Sequence, residues 1–342
     1  MAQPEAILIT GANGEIGHGL IAHLCQQGAE HIVAVDLQPL DPALQADCHT
    51  FIQADITDPA LIARLESKFA FSTIYHLASI LSTRGERDPE AAHRVNVDGT
   101  IYLLRMATEQ SRKAGRSTRF IYPSSIAAFG LPDTATKHRV GRVREAEWCY
   151  PATMYGCNKL SCETLGRYYA RFYRRLDEDR SAPRVDFRCL RFPGLISALT
   201  VPTGGTSDYG PEMLHHAAQG KPYVCFVRPD SRLPFMVMPD AIKALLLLEG
   251  APREALTQDV YNVTSFSPSA AEILDLILAA YPRAEVSFSP DINRQGIVDS
   301  WPEDVDDSAA RRDWNWKPDY DFRRAFDEYL IPTIARRYAG NQ

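Results

Sequence analysis

The chain has 342 residues, enough for one large domain or two unequal ones, and its 45% hydrophobic and 23% charged residues exclude the disordered and fibrous classes. Its net charge of −6 lacks the basic excess of a protein that works on phosphate backbones, and no run approaches the ~20 apolar residues of a membrane helix. The seven cysteines include no C-x-x-C pair and the nine histidines no H-E-x-x-H pattern, so neither a disulfide framework nor a metal centre is expected.

Met1-Ala2-Gln3-Pro4-Glu5 has no basic region and no cleavage pattern, which points to a cytoplasmic protein. Ala6–Thr10 reads as a strand, Ile16–Gln27 as a helix closed by Gly28, and His31–Asp36 as a second strand. Thr73–Ala78 and Arg119–Ser125 are two more strands, with a helix from about Pro89 to Lys113 between them. The charged stretch Leu131–Tyr150 lacks periodicity and is expected to be an irregular surface loop. A long helix after Tyr155 runs into Arg171–Arg175, and the acids Asp177, Glu178 and Asp179 that follow mark a solvated helix end. A strand, Asp186–Phe192, comes next, then a loop at Thr200–Tyr209 with Pro202, Gly204 and Gly205. Short elements fill the remainder, which ends in a helix. Strands alternating with helical crossovers predict an α/β fold, a doubly wound parallel sheet of Rossmann type, with a smaller, mainly C-terminal α/β substrate-binding lobe. The expected boundary lies near residue 180: a nucleotide-binding core over 1–180, and a mixed segment over 181–342 whose strand 186–192 returns to the core.

The first strand runs straight into Gly11-Ala-Asn13-Gly14-Glu15-Ile16-Gly17 and then a helix. Glycines at this spacing permit a tight turn, and the helix start offers unpaired N–H groups and a positive dipole end to a pyrophosphate. Asp36 ends the next strand about 20 residues on, where an acid accepts hydrogen bonds from the adenosine ribose hydroxyls. Asp36 would repel a 2′-phosphate and Leu37-Gln38 supply no cation to hold one, so NAD is expected rather than NADP.

Tyr155 and Lys159 stand four residues apart on a helix and share a face. A lysine cation favours the phenolate and is expected to lower the tyrosine pKa from about 10, leaving Tyr155 to exchange a proton with a substrate oxygen while Lys159 holds the nicotinamide ribose. Pro123-Ser124-Ser125 ends a strand, where an open parallel sheet binds its ligands. A hydroxyl there can hydrogen-bond the reacting oxygen; Ser125 is the first candidate and Ser124 the second.

Taken together, Gly11/Gly14/Gly17, Asp36, Asp55-Ile56, Pro123-Ser124-Ser125, Tyr155/Lys159 and Arg191-Phe-Pro-Gly194 resemble the extended short-chain dehydrogenase/reductase family, of the NAD-dependent epimerase/dehydratase type, over nearly the whole chain. The resemblance implies that Asp55 and Ile56 flank the adenine and that Leu77, Ala78 and Ser79 pass the middle of the cofactor. It places Pro193, Gly194 and Leu195 beside the nicotinamide, and adds Asn96, Pro123 and Ser124 to the cofactor-binding set. Leu190–Ser197, Gly204–Tyr209, Arg232–Asp240, Asp299–Pro302 and Asp306–Ser308 are most similar to the L-threonine 3-dehydrogenase branch. That branch implies a small-molecule substrate touched by Ser82 and Thr206, and oxidation of L-threonine at C3 to 2-amino-3-oxobutanoate; the charges of Arg232 or Asp208 could complement such a zwitterion. It also implies a homodimer built on the helices near Pro89–Lys113 and Tyr155–Arg175.

Two features depart from that branch: Arg84 and Arg87 within Ser82–Pro89, closer to relatives that oxidise sugar acids such as erythronate, and the long Leu131–Tyr150 segment. A nucleotide-sugar 4-epimerase or dehydratase that recycles its NAD is the other enzymatic alternative, against which Leu233-Pro234 after Arg232 argues. A redox-sensing NAD-binding protein is the non-enzymatic one, against which the Tyr155/Lys159 pair argues.

Overall fold

The computed structural model describes residues 4–29, 31–176, 183–202 and 204–339. Met1–Gln3, the acidic run Asp177–Asp179, Thr203 of the predicted loop and the last three residues lie outside them. The chain divides into two compact units of similar length. One comprises Met1–Ser124, Cys157–Leu190 and Leu245–Val260; the other comprises Ser125–Gly156, Arg191–Ala244 and Tyr261–Gln342. The chain passes between the two units several times along its length. Three of these passages fall in the last residues of sheet strands or within them, so each excursion of the chain belongs to the second unit and each return to the first.

The sheet of the first unit is parallel and seven-stranded. Its strands stand in the order Val260–Asn262, Asp186–Phe192, Arg119–Ser125, Ala70–His76, Glu5–Thr10, Ile32–Asp36, Thr50–Gln53. Leu8 is in register with Val33 on one side and Ile74 on the other, Val33 with Thr50, and Tyr75 with Ile121. Leu8, Ile9, Val33, Val35, Ile74, Phe120 and Ile121 are buried, as continuous apolar runs must be when both faces of a sheet are covered. The chain builds outward from its first strand in one direction, then resumes on the first strand's other side. This switch point, where such sheets bind ligands, is where the glycine turn begins.

The helical run from Pro89 opens on Asp88, whose carboxylate accepts from the Ala91 N–H at 3.0 Å. It is not one regular helix: a wide π-type turn, Arg94–Asp98, separates Pro89–His93 from Gly99–Ala114. Such turns often serve functional sites, and this one carries the buried Asn96.

Arg188 shows how the first unit satisfies a helix end. Its side chain is 3% exposed, pairs with Asp186 at 2.7 Å, and donates to the carbonyls of Leu248, Glu249 and Ala251 at 2.6–2.8 Å. These are the orphan carbonyls closing the helix Met238–Gly250.

The second unit holds three two-stranded parallel sheets: Gly194–Ile196 with Phe235–Val237, Tyr223–Cys225 with Val286–Phe288, and Arg142–Val143 with Asp304–Val305. Its core gathers Tyr209, Phe226 and Phe235 edge to face, with Trp301 and Phe326. The Leu131–Tyr150 stretch is not a surface loop. It forms the helix Thr134–Val140, capped by Asp133, and the strand Arg142–Val143, and it buries Leu131, Lys137 and Val143. Its charges hide the pattern because they are used in docking. Arg142 pairs with Asp304 at 2.9 Å and Arg144 with Asp306 at 3.3 Å, while Lys137 Nζ donates to the Val298 carbonyl at 2.9 Å.

Among the described residues no helix is long and apolar enough to cross a membrane, and no cluster of three side chains could hold a metal ion.

Replacing Arg188 by Met is expected to lower the unfolding free energy in urea by about 3 kcal/mol, the scale for breaking a buried ion pair and abandoning buried carbonyls. An unchanged denaturation midpoint would show that the guanidinium does not close this helix.

Candidate active site

Steric demand shapes the turn after the first strand. Gly11 has φ +69°, and a Cβ there would stand 2.6 Å from the Ala78 nitrogen, where the fourth strand in chain order leaves the sheet. A Cβ on Gly17 would stand 2.3 Å from the Ala12 carbonyl oxygen. Glycine is what lets backbone approach backbone at both places. The helix Glu15–Gln26 that follows has Gly14 at its cap and no side-chain cap, so no side chain of the turn takes its first N–H groups. These observations fit the turn to a pyrophosphate, with Glu15, Ile16 and Gly17 forming the helix start.

Asp36 is fastened to this turn. One carboxylate oxygen accepts from the Asn13 N–H and the other from the Gln38 N–H, each at 2.9 Å. Both oxygens keep lone pairs for ribose hydroxyls. Leu37 beside it is 57% exposed and brings no cation. Asp55 accepts from the N–H and hydroxyl of Thr57, and the buried Ile56 packs over Gly99.

A buried chain of hydrogen bonds runs beneath Leu77-Ala78-Ser79. The Thr100 hydroxyl donates to the Asn96 carbonyl at 2.5 Å, which leaves its oxygen to accept from His76 Nε2 at 2.9 Å. His76 Nδ1 then accepts from the Thr10 hydroxyl at 2.7 Å, so the surroundings assign the tautomer. The Asn96 side chain closes the other end: its oxygen accepts from the Ile80 N–H and the Ser79 hydroxyl, and its amide donates to the Ile80 carbonyl at 2.9 Å. Burial, with Lys159 adding to it, holds the His76 pKa down at about 3, so the ring stays neutral. Ser82 is buried at the start of the helix Ser82–Arg87, whose Arg84 and Arg87 are exposed.

The strand Arg119–Ser125 and the helix Met154–Arg171 carry the reactive groups. In the first unit, Lys159 Nζ donates to the Pro123 carbonyl at 2.7 Å and sits 4.7 Å from the centre of the Tyr122 ring. The Ser124 hydroxyl turns away to Glu163, 2.5 Å from its carboxylate. Burial brings the Lys159 pKa down to about 8, against an opposing pull from Cys162, Cys189 and Glu163.

In the second unit, Ser125 accepts from the Ala127 N–H at 3.1 Å and hydrogen-bonds the Tyr155 phenol. The two serines thus take different partners, and Ser125 is the one joined to Tyr155. The Tyr155 pKa is not lowered, as the helix spacing had suggested. Burial raises it to about 12, with the Ser125 bond only partly offsetting that rise, because a dry phenolate is costly.

Pro193 precedes the strand Gly194–Ile196, and Gly194 and Leu195 pair with Phe235 and Met236. Thr206 is buried within a turn whose Gly204 and Gly205 N–H groups are both held by Asp208. Arg232 pairs with Glu272 at 2.8 Å and also donates to the Ser267 carbonyl. Asp208 thus serves its own turn, and Arg232 is engaged by a carboxylate.

Sequence reasoning passed over His76, Thr100 and Glu163. The signals were present: a polar residue closing an apolar strand, and a glutamate one helical turn beyond Lys159.

Since His76 has a folded pKa near 3 and an unfolded one near 6.5, the unfolded chain binds a proton that the native one refuses. Stability is complete above pH 6.5 and declines toward pH 3, by about 1.4 kcal/mol per pH unit from this group. His76→Gln should flatten the dependence of unfolding free energy on pH by about one proton over that window; an identical slope in both proteins would contradict the neutral assignment.

Comparison with known proteins places the chain in a family. The model described as the NAD dependent epimerase/dehydratase family matches residues 7–264. The mitochondrial L-threonine 3-dehydrogenase of Bos taurus is 33% identical over 328 residues, covering 94% of this chain and 80% of that protein. The X-ray structure of L-threonine dehydrogenase from Clostridium difficile aligns with a TM-score of 0.85 at 32% identity, over 98% of this chain and 99% of that one. The UDP-glucose 4-epimerase of Thermotoga maritima, at a TM-score of 0.79 and 20% identity, over 98% of this chain and 100% of that one, is alike in fold alone.

Proposed function

Because the chain belongs to the NAD dependent epimerase/dehydratase family, whose members use NAD, we propose that it is a dehydrogenase that oxidises a secondary alcohol of a small hydroxylated acid. Its substrate is L-threonine, oxidised at C3 to 2-amino-3-oxobutanoate. The observation that carries this reading is the hydrogen bond between Ser125 and Tyr155: a hydroxyl poised on a buried phenol, ready to share a substrate oxygen. The relatives named L-threonine dehydrogenase support the choice of substrate, and so does Leu233-Pro234 after Arg232, which argues against a nucleotide sugar.

When bound, NAD supplies the acceptor for the hydride that leaves C3. Gly11, Gly14 and Gly17 admit its pyrophosphate, and Asp36 holds the adenosine ribose. Leu77–Ser79, braced by Asn96, flank its length. Lys159 presents its ammonium to the nicotinamide ribose. Ser125 orients the substrate alcohol, and Tyr155 takes the alcohol proton. Ser82, which is buried, contacts the amino acid.

With a pKa near 12, Tyr155 is protonated at neutral pH, so oxidation must begin from the scarce phenolate. That population grows about tenfold per pH unit. Lys159 loses its charge near pH 8, which opposes the climb above that point. Turnover with L-threonine and NAD, followed as NADH absorbance, should therefore rise from pH 6 to 8 and then flatten. Tyr155→Phe should lower it by about 10²- to 10⁴-fold with little change in NAD affinity. Near-normal turnover in that variant would refute the assignment. A parallel screen of the threonine stereoisomers, 3-hydroxy acids and four-carbon sugar acids tests the substrate, and NAD that stays bound through purification without net NADH formation would favour an epimerase.

Asp36→Ala should relax the preference for NAD over NADP by at least about tenfold, since it removes both the ribose acceptor and the repulsion of a 2′-phosphate. Unchanged selectivity, measured as the ratio of kcat/KM values, would count against its role.

A further inference from the structure

Two residues that the reaction as described leaves idle, Ser124 and Glu163, are among the most deeply enclosed polar groups of the first unit. Glu163 is 2% exposed and Ser124 3%. A carboxylate withdrawn from water to that degree needs compensation, and the Ser124 hydroxyl at 2.5 Å supplies part of it. Its position suggests the rest. Glu163 stands one helical turn beyond Lys159, as Lys159 stands one turn beyond Tyr155, so the three lie along one face of the helix Met154–Arg171.

The strand end answers this spacing residue for residue. The Pro123 carbonyl receives the Lys159 ammonium at 2.7 Å, and the next residue, Ser124, gives its hydroxyl to Glu163. Consecutive residues of one strand are thus gripped by consecutive turns of one helix. Seating Ser124 on Glu163 leaves the next residue, Ser125, as the one that bonds Tyr155.

We infer that Glu163 is a positioning residue for the reaction. Its carboxylate keeps the buried Lys159 cationic, and its bond to Ser124 fixes the strand end from which Ser125 is presented. The inference rests on reading Tyr155 and Lys159 as the reacting pair. The groups that face Lys159 are His76, Tyr122, Cys162, Glu163 and Cys189. His76 is neutral, Tyr122 offers a ring face, and Cys162 is a thiol whose pKa burial has raised. Glu163 contributes the anion. Burial works against the Lys159 charge and brings its pKa down to about 8, while Cys162, Cys189 and Glu163 pull the other way.

The test does not require turnover. Lysine labelled isotopically at Cε lets NMR follow each ammonium through a pH titration of the cofactor-free protein. The chain has seven lysines, and Lys159→Arg identifies the signal. Glu163→Gln keeps a partner for Ser124 but removes the charge, and should move the Lys159 midpoint down by about one pH unit. Ser124→Ala keeps the charge, so it should leave the midpoint in place while lowering turnover about tenfold. A Lys159 midpoint in Glu163→Gln equal to that of the parent overturns the inference. If Glu163→Gln does not fold, Glu163→Asp takes its place: with the charge kept and the reach to Ser124 lost, it should retain the parental midpoint and share the lowered turnover of Ser124→Ala, and parental turnover in it overturns the inference. The titration stands apart from the substrate assay. An active Tyr155→Phe variant would sink the dehydrogenase reading, whereas an unmoved midpoint sinks only the role of Glu163.

Discussion

A cation buried beside the end of a central strand constrains the first unit. Lys159 is 4% exposed, and an ion withdrawn from water costs several kcal/mol unless the protein replaces its hydration. Here the replacements are a backbone carbonyl, an aromatic face and a carboxylate one turn away. Each restricts where the helix can lie against the strand. The helix cannot slide by a residue without stranding the charge, so the same interaction that tolerates the cation also sets the register of the reactive side chains along it.

The cofactor side obeys a steric rule instead. At Gly11 and Gly17 the backbone comes too close to other backbone for any side chain, and the chain leaving the fourth strand passes directly over the turn. The Thr10–His76–Thr100–Asn96 relay then ties the ends of two adjacent strands to the wide helical turn behind them. Polar groups so placed are tolerable only when all are satisfied. This one is directional throughout, and its neutral histidine lets it remain so down to acid pH. Charge sets one half of the proposed chemistry and shape the other, and Asp36 joins them, its two oxygens held by the Asn13 N–H of the turn and the Gln38 N–H.

Much of this was legible in the residues. Apolar runs such as Ala6–Thr10 and His31–Asp36 announce buried parallel strands, since little else hides a whole run of side chains. The glycine turn is readable because its demand is local. What escaped reading depends on partners distant in the chain. The segment from Leu131 to Tyr150 looks like a loop because its charges answer Asp304 and Asp306, some 160 positions away, and its buried Lys137 reaches the carbonyl of Val298. Spacing alone placed Lys159 beside Tyr155 and inferred an acidic phenol; burial, which no spacing records, moves that phenol the other way. Choosing between Ser124 and Ser125 likewise required knowing that Glu163 lies on the helix opposite.

The account turns on Tyr155 and Lys159 serving one bound nicotinamide. A crystal structure of the protein with NAD and L-threonine measures this directly. The account requires the nicotinamide ribose hydroxyls on Lys159 Nζ and the threonine hydroxyl within hydrogen-bond reach of both Tyr155 and Ser125. A nicotinamide ring lying out of reach of both side chains, or a threonine whose C3 faces away from it, would contradict the account.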